Sequence, residues 1–208
     1  MFDSLPKEYS HLYLAIEGKL AAVICVEDPL REEAADAVRE LKEAGITKVV
    51  MMTGDSERTA AAIAKRVGVD EYYSEVLPED KASFVEKEKE LGHKVIMIGD
   101  GINDSLALSS ASVGIAISDG AAIAREIADV TISADNLHEI VTLKRLSTAL
   151  MKRIHNNYRT IIGINGGLIA LGVTGIIMPT TSALLHNMST LTISLRSMRN
   201  LLPKEEEA

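Results

Sequence analysis

From Thr160 to Leu195 the chain runs for 36 residues without an Asp, Glu, Lys or Arg, in a sequence of 208 residues of which 25% are charged. An uncharged stretch of that length is not an ordinary soluble core helix. Ile161 to Met178 has the polarity of a membrane span and, at 1.5 Å per residue, a reach of about 27 Å against a hydrocarbon core of ~30 Å. Pro179-Thr180-Thr181 reads as a turn, and Ser182 to Met198 as a second, more polar span. Gly166, Gly167 and Gly172 would let the second span approach the first closely. All 30 acids lie at or before Glu139 or after Pro203, and the segment between holds only Lys144, Arg145, Lys152, Arg153, Arg159, Arg196 and Arg199. Basic residues before the first span and after the second put both ends on the cytoplasmic side. The pattern predicts a basic linking helix over 136–159, a transmembrane helical hairpin over 160–198 and a charged tail over 199–208. The globular part would then be cytoplasmic, at the plasma membrane.

Ahead of that tail the sequence reads as α/β. Tyr13 to Ile16 and Leu20 to Val26 flank Glu17-Gly18-Lys19 as a hairpin. Asp28-Pro29 offers a helix N-cap and first-turn proline, with Leu30, Ala34, Val38 and Leu41 on one face and a stop at Gly45. Lys48 to Met52 is a buried-type strand ending in Thr53-Gly54-Asp55. A helix runs from Ser56 to Val67, with Gly68 as its stop. A short strand at Tyr72-Tyr73, a charged helix after Leu77-Pro78 ending near Gly92, and strands at Val95–Ile98, Val113–Ile117 and Val130–Ile132 follow. Strands alternating with helices over short connections predict a parallel sheet flanked by helices. Ligands of such sheets collect beyond the carboxyl ends of the strands, where Thr53-Gly54-Asp55 and Gly99-Asp100-Gly101 both lie. A net charge of −8 excludes a nucleic-acid partner. The single cysteine, Cys25, excludes an internal disulfide and reads as core filler in its apolar strand.

Gly99-Asp100-Gly101-Ile102-Asn103-Asp104 carries the most specific chemistry. Two acids four residues apart beside two glycines at a strand end fit a loop that holds a divalent cation against a phosphate. Taken with Thr53-Gly54-Asp55 and Asp80-Lys81 in this order, it resembles the haloacid-dehalogenase-type phosphorylation domain, a Rossmann-like parallel sheet with helices. With Asp28-Pro29-Leu30-Arg31 upstream and two spans downstream, including Leu185-His186-Asn187-Met188-Ser189-Thr190, the chain is similar to the heavy-metal branch of P-type cation ATPases. The resemblance divides it into the last hairpin of a nucleotide-binding domain (1–27), a phosphorylation domain (28–135), the linking helix, the membrane hairpin and the tail.

The resemblance implies an ATP-driven pump that moves a transition-metal cation across the membrane, with Mg²⁺ as cofactor and ATP bound through other domains. Asp100 would coordinate Mg²⁺, and Asp104 would complete or support that coordination, the alternative being an acidic turn capping the next helix. Thr53, Gly54 and Asp55 would bind phosphate, or form a plain strand-end turn. Lys81 would neutralise charge on the transferred phosphoryl group, although a lysine after Glu79-Asp80 is on its own a surface residue. Asn103 contacts the phosphoryl group or caps a helix. His186, with Ser189 and Thr190 one turn on, is a candidate ligand set for the transported metal, or else a histidine satisfied by a helix neighbour. Met188-Ser189-Thr190 leaves the metal open.

The phosphoryl acceptor is missing. The family carries it in an Asp-Lys-Thr-Gly-Thr stretch, and no such stretch occurs here; Asp28, followed by Pro29-Leu30-Arg31, looks like the family's hinge. The strand bearing the acceptor normally lies between the strands ending at Thr53 and Asp100. Its absence would leave buried backbone groups unpaired at about 1–3 kcal/mol each, unless Leu20 to Val26 fills the gap. The expectation is a truncated chain, inactive alone. A soluble phosphatase of the same superfamily, and a non-catalytic membrane module complementing a second chain, are the alternatives.

Overall fold

The computed structural model describes residues 10–26, 30–99, 102–117, 122–132 and 136–202. Asp28, Pro29, Asp100, Gly101 and residues 203–208 of the tail lie outside them. The chain divides into two compact units, Met1–Val141 and Thr142–Ala208.

The first unit opens with strands β1 (Ser10–Ile16) and β2 (Lys19–Val26), paired antiparallel from Ser10↔Val26 to Ile16↔Lys19. Both turn residues have positive φ, Glu17 at 48° and Gly18 at 74°, as tight hairpin turns require. Among the described residues no layer covers the ribbon: Leu12, Leu14, Ile16, Leu20, Ile24 and Val26 are all exposed. One expectation falls with it: Cys25 is exposed instead of filling a core. Among the described residues β2 pairs with β1 alone, so it is not the strand that fills the gap in the parallel sheet.

Helix α1 (Ala34–Glu43) starts later than the apolar spacing predicts, leaving Leu30 outside it, and buries Ala34 and Ala37. Next come β3 (Val50–Met52), α2 (Glu57–Val67), β4 (Glu71–Tyr73), α3 (Pro78–Glu90) and β5 (Ile96–Gly99). After a single 3-10 turn at Ile102–Asp104 follow α4 (Ser105–Ser110), β6 (Val113–Ile117), α5 (Ala122–Ile127) and β7 (Val130–Ile132). Local chemistry explains the boundaries. Gly68 closes α2 in the left-handed conformation at φ 78°. Pro78 opens α3, where the Asp80 carboxylate accepts the Leu77 N–H at 3.1 Å.

All pairings after the hairpin are parallel, as expected, but they form two sheets: β3–β4 and β5–β6–β7. The core is small and rich in alanine, with Ala60, Ala64, Val85, Leu108, Ile115 and Ala116 buried. Asp70 fastens the start of β3. Its carboxylate accepts the Val49 N–H at 2.7 Å and pairs with Lys42 Nζ at 2.7 Å, while Lys42 also reaches the Gly68 carbonyl.

In the second unit, helix α6 (His138–Val173) runs without a break through Tyr158, and α7 (Pro179–Ser197) follows. Asn157 Nδ2 donates to Ser197 Oγ at 2.7 Å, and Arg153 donates to the carbonyls of Ser197, Arg199 and Asn200, capping the end of α7. The helical hairpin is present, but its dimensions differ from those predicted. Gly175, at φ 75°, donates to the Gly172 carbonyl and Ile176 to that of Leu171, so α6 ends before Ile176, Ile177 and Met178. Its apolar part, Ile161 to Val173, is then about 20 Å long. Pro179 begins α7 instead of making a turn, and α7 is diluted by hydroxyl and amide side chains. Among the described residues no helix is long and apolar enough to cross a membrane.

The Lys42 ammonium and the Val49 N–H hold the Asp70 carboxyl below its ordinary 3.8, and the Ser74 and Tyr72 hydroxyls hold Glu57 below 4.5. A carboxyl depressed by folding contributes stability that is full above its unfolded value and is lost as pH falls through the folded one. The thermal midpoint should therefore drop as pH falls below 4.5. Asp70→Asn should lower the midpoint by a few degrees at pH 7 and flatten its acid dependence, both measurable by circular dichroism.

Candidate active site

The carboxyl end of β5 carries the tightest polar cluster. Beyond Gly99 the 3-10 turn brings Asp104 back over the strand end, and Asp104 is only 8% exposed. A Cβ at Gly99 would lie 2.6 Å from the Asp104 Cβ, so only glycine admits this approach. Lys81, in the second turn of α3, reaches across with Nζ 2.8 Å from Asp104 Oδ1, the two side chains being 15% and 11% exposed. Lys81 is thus no surface residue. Asp104 makes no capping bond to α4, although it occupies the N-cap position. Asn103 beside it is exposed. Asp100, the expected principal Mg²⁺ ligand, lies outside the described residues.

The carboxyl end of β3 holds a second cluster. Thr53 donates its N–H to the Tyr73 carbonyl at 3.0 Å and accepts the Val76 N–H at 3.0 Å, which fixes its backbone on both sides. Its hydroxyl donates to Asp55 Oδ2 at 2.8 Å and accepts the Asp55 N–H at 3.1 Å. The Asp55 N–H and one carboxylate oxygen are therefore spent on Thr53, and its carbonyl accepts the Glu75 N–H at 2.9 Å; a carboxylate has no hydrogen to give a phosphate. Gly54 is exposed, with open space around its Cα.

In the second unit a groove of about 660 Å³ lies between α6 and α7, lined by Asn165, Leu168, Gly172, Ser182, His186 and Asn187 among others. His186 Nδ1 donates to Asn165 Oδ1 at 2.9 Å. An amide oxygen only accepts, so in this arrangement Nδ1 carries a proton, and the lone pair of the neutral ring is on Nε2. The Ser189 and Thr190 hydroxyls do not join it; both donate to the His186 carbonyl, at 2.8 and 3.1 Å. Asn165 was missed by sequence reasoning, and its signal was a lone amide in the uncharged stretch from Ile161 to Met178. Among the described residues no three His, Cys, Asp or Glu side chains gather as a metal cluster.

Residues 3–112 match the haloacid dehalogenase-like hydrolase family, and the chain belongs to it. Its curated relatives are metal-transporting P-type ATPases. It is 44% identical to copper-transporting ATPase 2 of Rhizobium meliloti (strain 1021), over 85% of this chain and 21% of that protein. It is 38% identical to the manganese-exporting P-type ATPase of Mycobacterium bovis (strain ATCC BAA-935 / AF2122/97), over 90% and 26%. The crystal structure of a zinc-transporting PIB-type ATPase in the E2.Pi state matches with a TM-score of 0.83 at 31% identity, covering 95% of this chain and 32% of that one. The chain spans about a quarter of the length of these curated relatives.

Removing Lys81 strands a nearly buried carboxylate. Lys81→Met should cost about 3 kcal/mol in urea unfolding. Combined with Asp104→Asn, it should cost less than the sum of the two by about 1–3 kcal/mol, the coupling of a direct pair. Additive losses would mean that the two side chains do not interact.

Proposed function

We propose that the chain supplies the phosphorylation-type domain and a membrane-associated helical hairpin of an ATP-driven transition-metal pump. The observation that carries this reading is the Lys81–Asp104 pair packed over Gly99 at the end of a parallel strand. A lysine there neutralises charge on a phosphoryl group held at the strand ends, which is where transfer gains most from fixed charge. Gly54 and Asn103 would bind phosphoryl oxygens, and Thr53 would join them by turning its hydroxyl hydrogen from Asp55 to the phosphate.

The donor chemistry suits Mg²⁺, which takes one or two carboxylates and otherwise waters and phosphate oxygens. Asp104 offers one hard oxygen donor, and Asp100 would offer the other. Bound there, Mg²⁺ would neutralise phosphate charge. ATP and the acceptor aspartate would come from domains outside these 208 residues, supplied by a second chain if this one acts as it stands.

The hairpin favours the pump over a soluble phosphatase. Ile162, Val173, Leu184, Leu191 and Leu195 are all more than half exposed, an apolar surface that needs covering. Neither helix spans alone, so we infer that the pair sits in the bilayer packed against further helices, with the globular part cytoplasmic. His186 has its second ring nitrogen oriented by Asn165, as a metal-ligating histidine requires, and is the candidate contact for the cargo. Copper, manganese and zinc are the metals of the similar proteins.

Incubated with Mg²⁺ and γ-labelled ATP, the purified chain should give no acid-stable, hydroxylamine-sensitive phosphoprotein. Adding a polypeptide with the Asp-Lys-Thr-Gly-Thr stretch and a nucleotide-binding domain should label that polypeptide, dependent on Lys81. Label on this chain that survives Asp28→Ala would sink the proposal. In a Cys25→Ser background, a cysteine placed at Thr181 should react only from outside the cell and one at Ser197 only from inside. Reaction of both from the cytoplasm alone would remove the membrane reading of the hairpin.

A further inference from the structure

Between Ile140 and Leu202 the chain has seven cations and no acid. Arg153 has a structural task, because its guanidinium donates to the carbonyls of Ser197 at 2.9 Å and Asn200 at 2.8 Å, and to that of Arg199. Among the described residues the side chains of Lys152, Arg159, Arg196 and Arg199 enter no such bond. All four residues are exposed, and no carboxylate lies on the stretch that carries them.

The bonds of their neighbours put these four at one height of the hairpin. Arg153 meets the carbonyls that follow α7, and Asn157 Nδ2 meets Ser197 Oγ at 2.7 Å. Lys152 and Arg159 lie within two residues of those contacts on α6, and Arg196 and Arg199 within two on α7 and its end. Lys152 and Arg159 are seven positions apart, two helical turns, and so share a face of α6. The uncharged stretch begins at Thr160 and ends at Leu195, each one residue from a cation. The four cations therefore rim the apolar surface of the hairpin, where Ile161, Ile162, Leu191 and Leu195 are exposed. Tyr158 is 64% exposed beside Arg159, an apolar ring with a polar tip of the kind that collects at a membrane–water boundary.

This make-up selects among partners. A soluble polyanion would answer the charges and leave the apolar side chains next to them in water. A neutral lipid would cover the apolar side chains and leave the charges without a counter-ion. An anionic phospholipid does both, its phosphate oxygens accepting from ammonium and guanidinium groups while its acyl chains lie on the helices. The structural role open to a cation at the end of α7, capping its last carbonyls, is already filled by Arg153.

We propose that Lys152, Arg159, Arg196 and Arg199 form a rim that binds the headgroups of anionic phospholipids. The proposal rests on the membrane reading of the hairpin and adds a headgroup preference which that reading does not require.

The test dilutes the full chain from detergent into vesicles of phosphatidylcholine, or of equal parts phosphatidylcholine and phosphatidylglycerol, and measures partition by flotation. The chain should enter both and prefer the anionic vesicles, with a preference that shrinks as salt rises. Lys152→Gln with Arg159→Gln should lower partition into anionic vesicles about 25-fold, about fivefold per cation, and leave partition into neutral vesicles unchanged. Lys152→Arg with Arg159→Lys should keep the preference. Lys65→Gln with Arg66→Gln, the same loss of charge on α2, should keep it too. Failure to enter neutral vesicles would remove the membrane reading and the rim with it. Equal partition into both vesicles would overturn the rim alone, as would equal losses from the two glutamine pairs. So would erasure of the preference by inorganic phosphate at matched ionic strength, which would make the site one for free phosphate. A preference that appears only once residues 204–208 are removed would assign the rim to the chain's own acidic tail and likewise overturn the proposal.

Discussion

A strand in a parallel sheet is secure only when both edges are hydrogen-bonded and both faces are covered, and the globular unit is organised by how far each strand meets that requirement. β6 meets it, with β5 and β7 on its edges and Ile115 and Ala116 fully buried. β3 and β5 meet it on one side only, and Val50, Met51 and Met52 stay half-buried although their composition is that of a sheet centre. The core is accordingly small. A domain holds together by about 5–15 kcal/mol in total, and each buried unpaired backbone group would subtract about 1–3. Water at the open edges avoids that cost, and the same water keeps the strands from being packed.

The polar cluster depends on this frame. Lys81 is aimed by α3, whose first turn is fixed by Pro78 and the Asp80–Leu77 bond, and Asp104 by a 3-10 turn that needs Gly99 bare. The pair lies at the carboxyl end of β5. The lysine charge is balanced by Asp104 before any phosphate arrives. A phosphate or cation binding there would rearrange an existing ion pair. Thr53 shows the same economy, its hydroxyl held by Asp55.

The elements of the globular unit were legible because local chemistry writes them. Glu17-Gly18, Gly68 and Pro78 set turns and helix ends, and short apolar runs mark the strands. What sequence could not show is long-range. Lys81 and Asp104 were each singled out, but that they pair, 23 positions apart, needed the fold, and so did the contact that makes Gly99 obligatory. Cys25 was misread because an apolar strand reads as buried whether or not a layer covers it. The gap in the sheet was legible only through the resemblance, and β2, the spare apolar strand, does not fill it, because its hairpin pairing with β1 is local and antiparallel. The apolar run to Met178 overstated the first helix because composition does not register that Gly175 turns the backbone out.

The hairpin of α6 and α7 arranges its polar groups in a way that fits an apolar surrounding better than water. Arg153, Asn157 and Asn165 fall at helical spacing on one face of α6 and meet α7 at Ser197 and His186. The hydroxyls of Thr160, Thr174, Ser189, Thr190, Thr192 and Ser197 bond back to carbonyls of their own helix, so none needs water. Large apolar side chains occupy the exposed positions, and α7 buries none of its residues. In a hydrocarbon medium every polar group must find its partner within the protein, and these helices come close to that condition. Among the described residues neither helix is apolar enough over the length of a span to cross a bilayer unaided. Helices with internally satisfied polar groups and uncovered apolar faces are stable in lipid when neighbouring helices flank them.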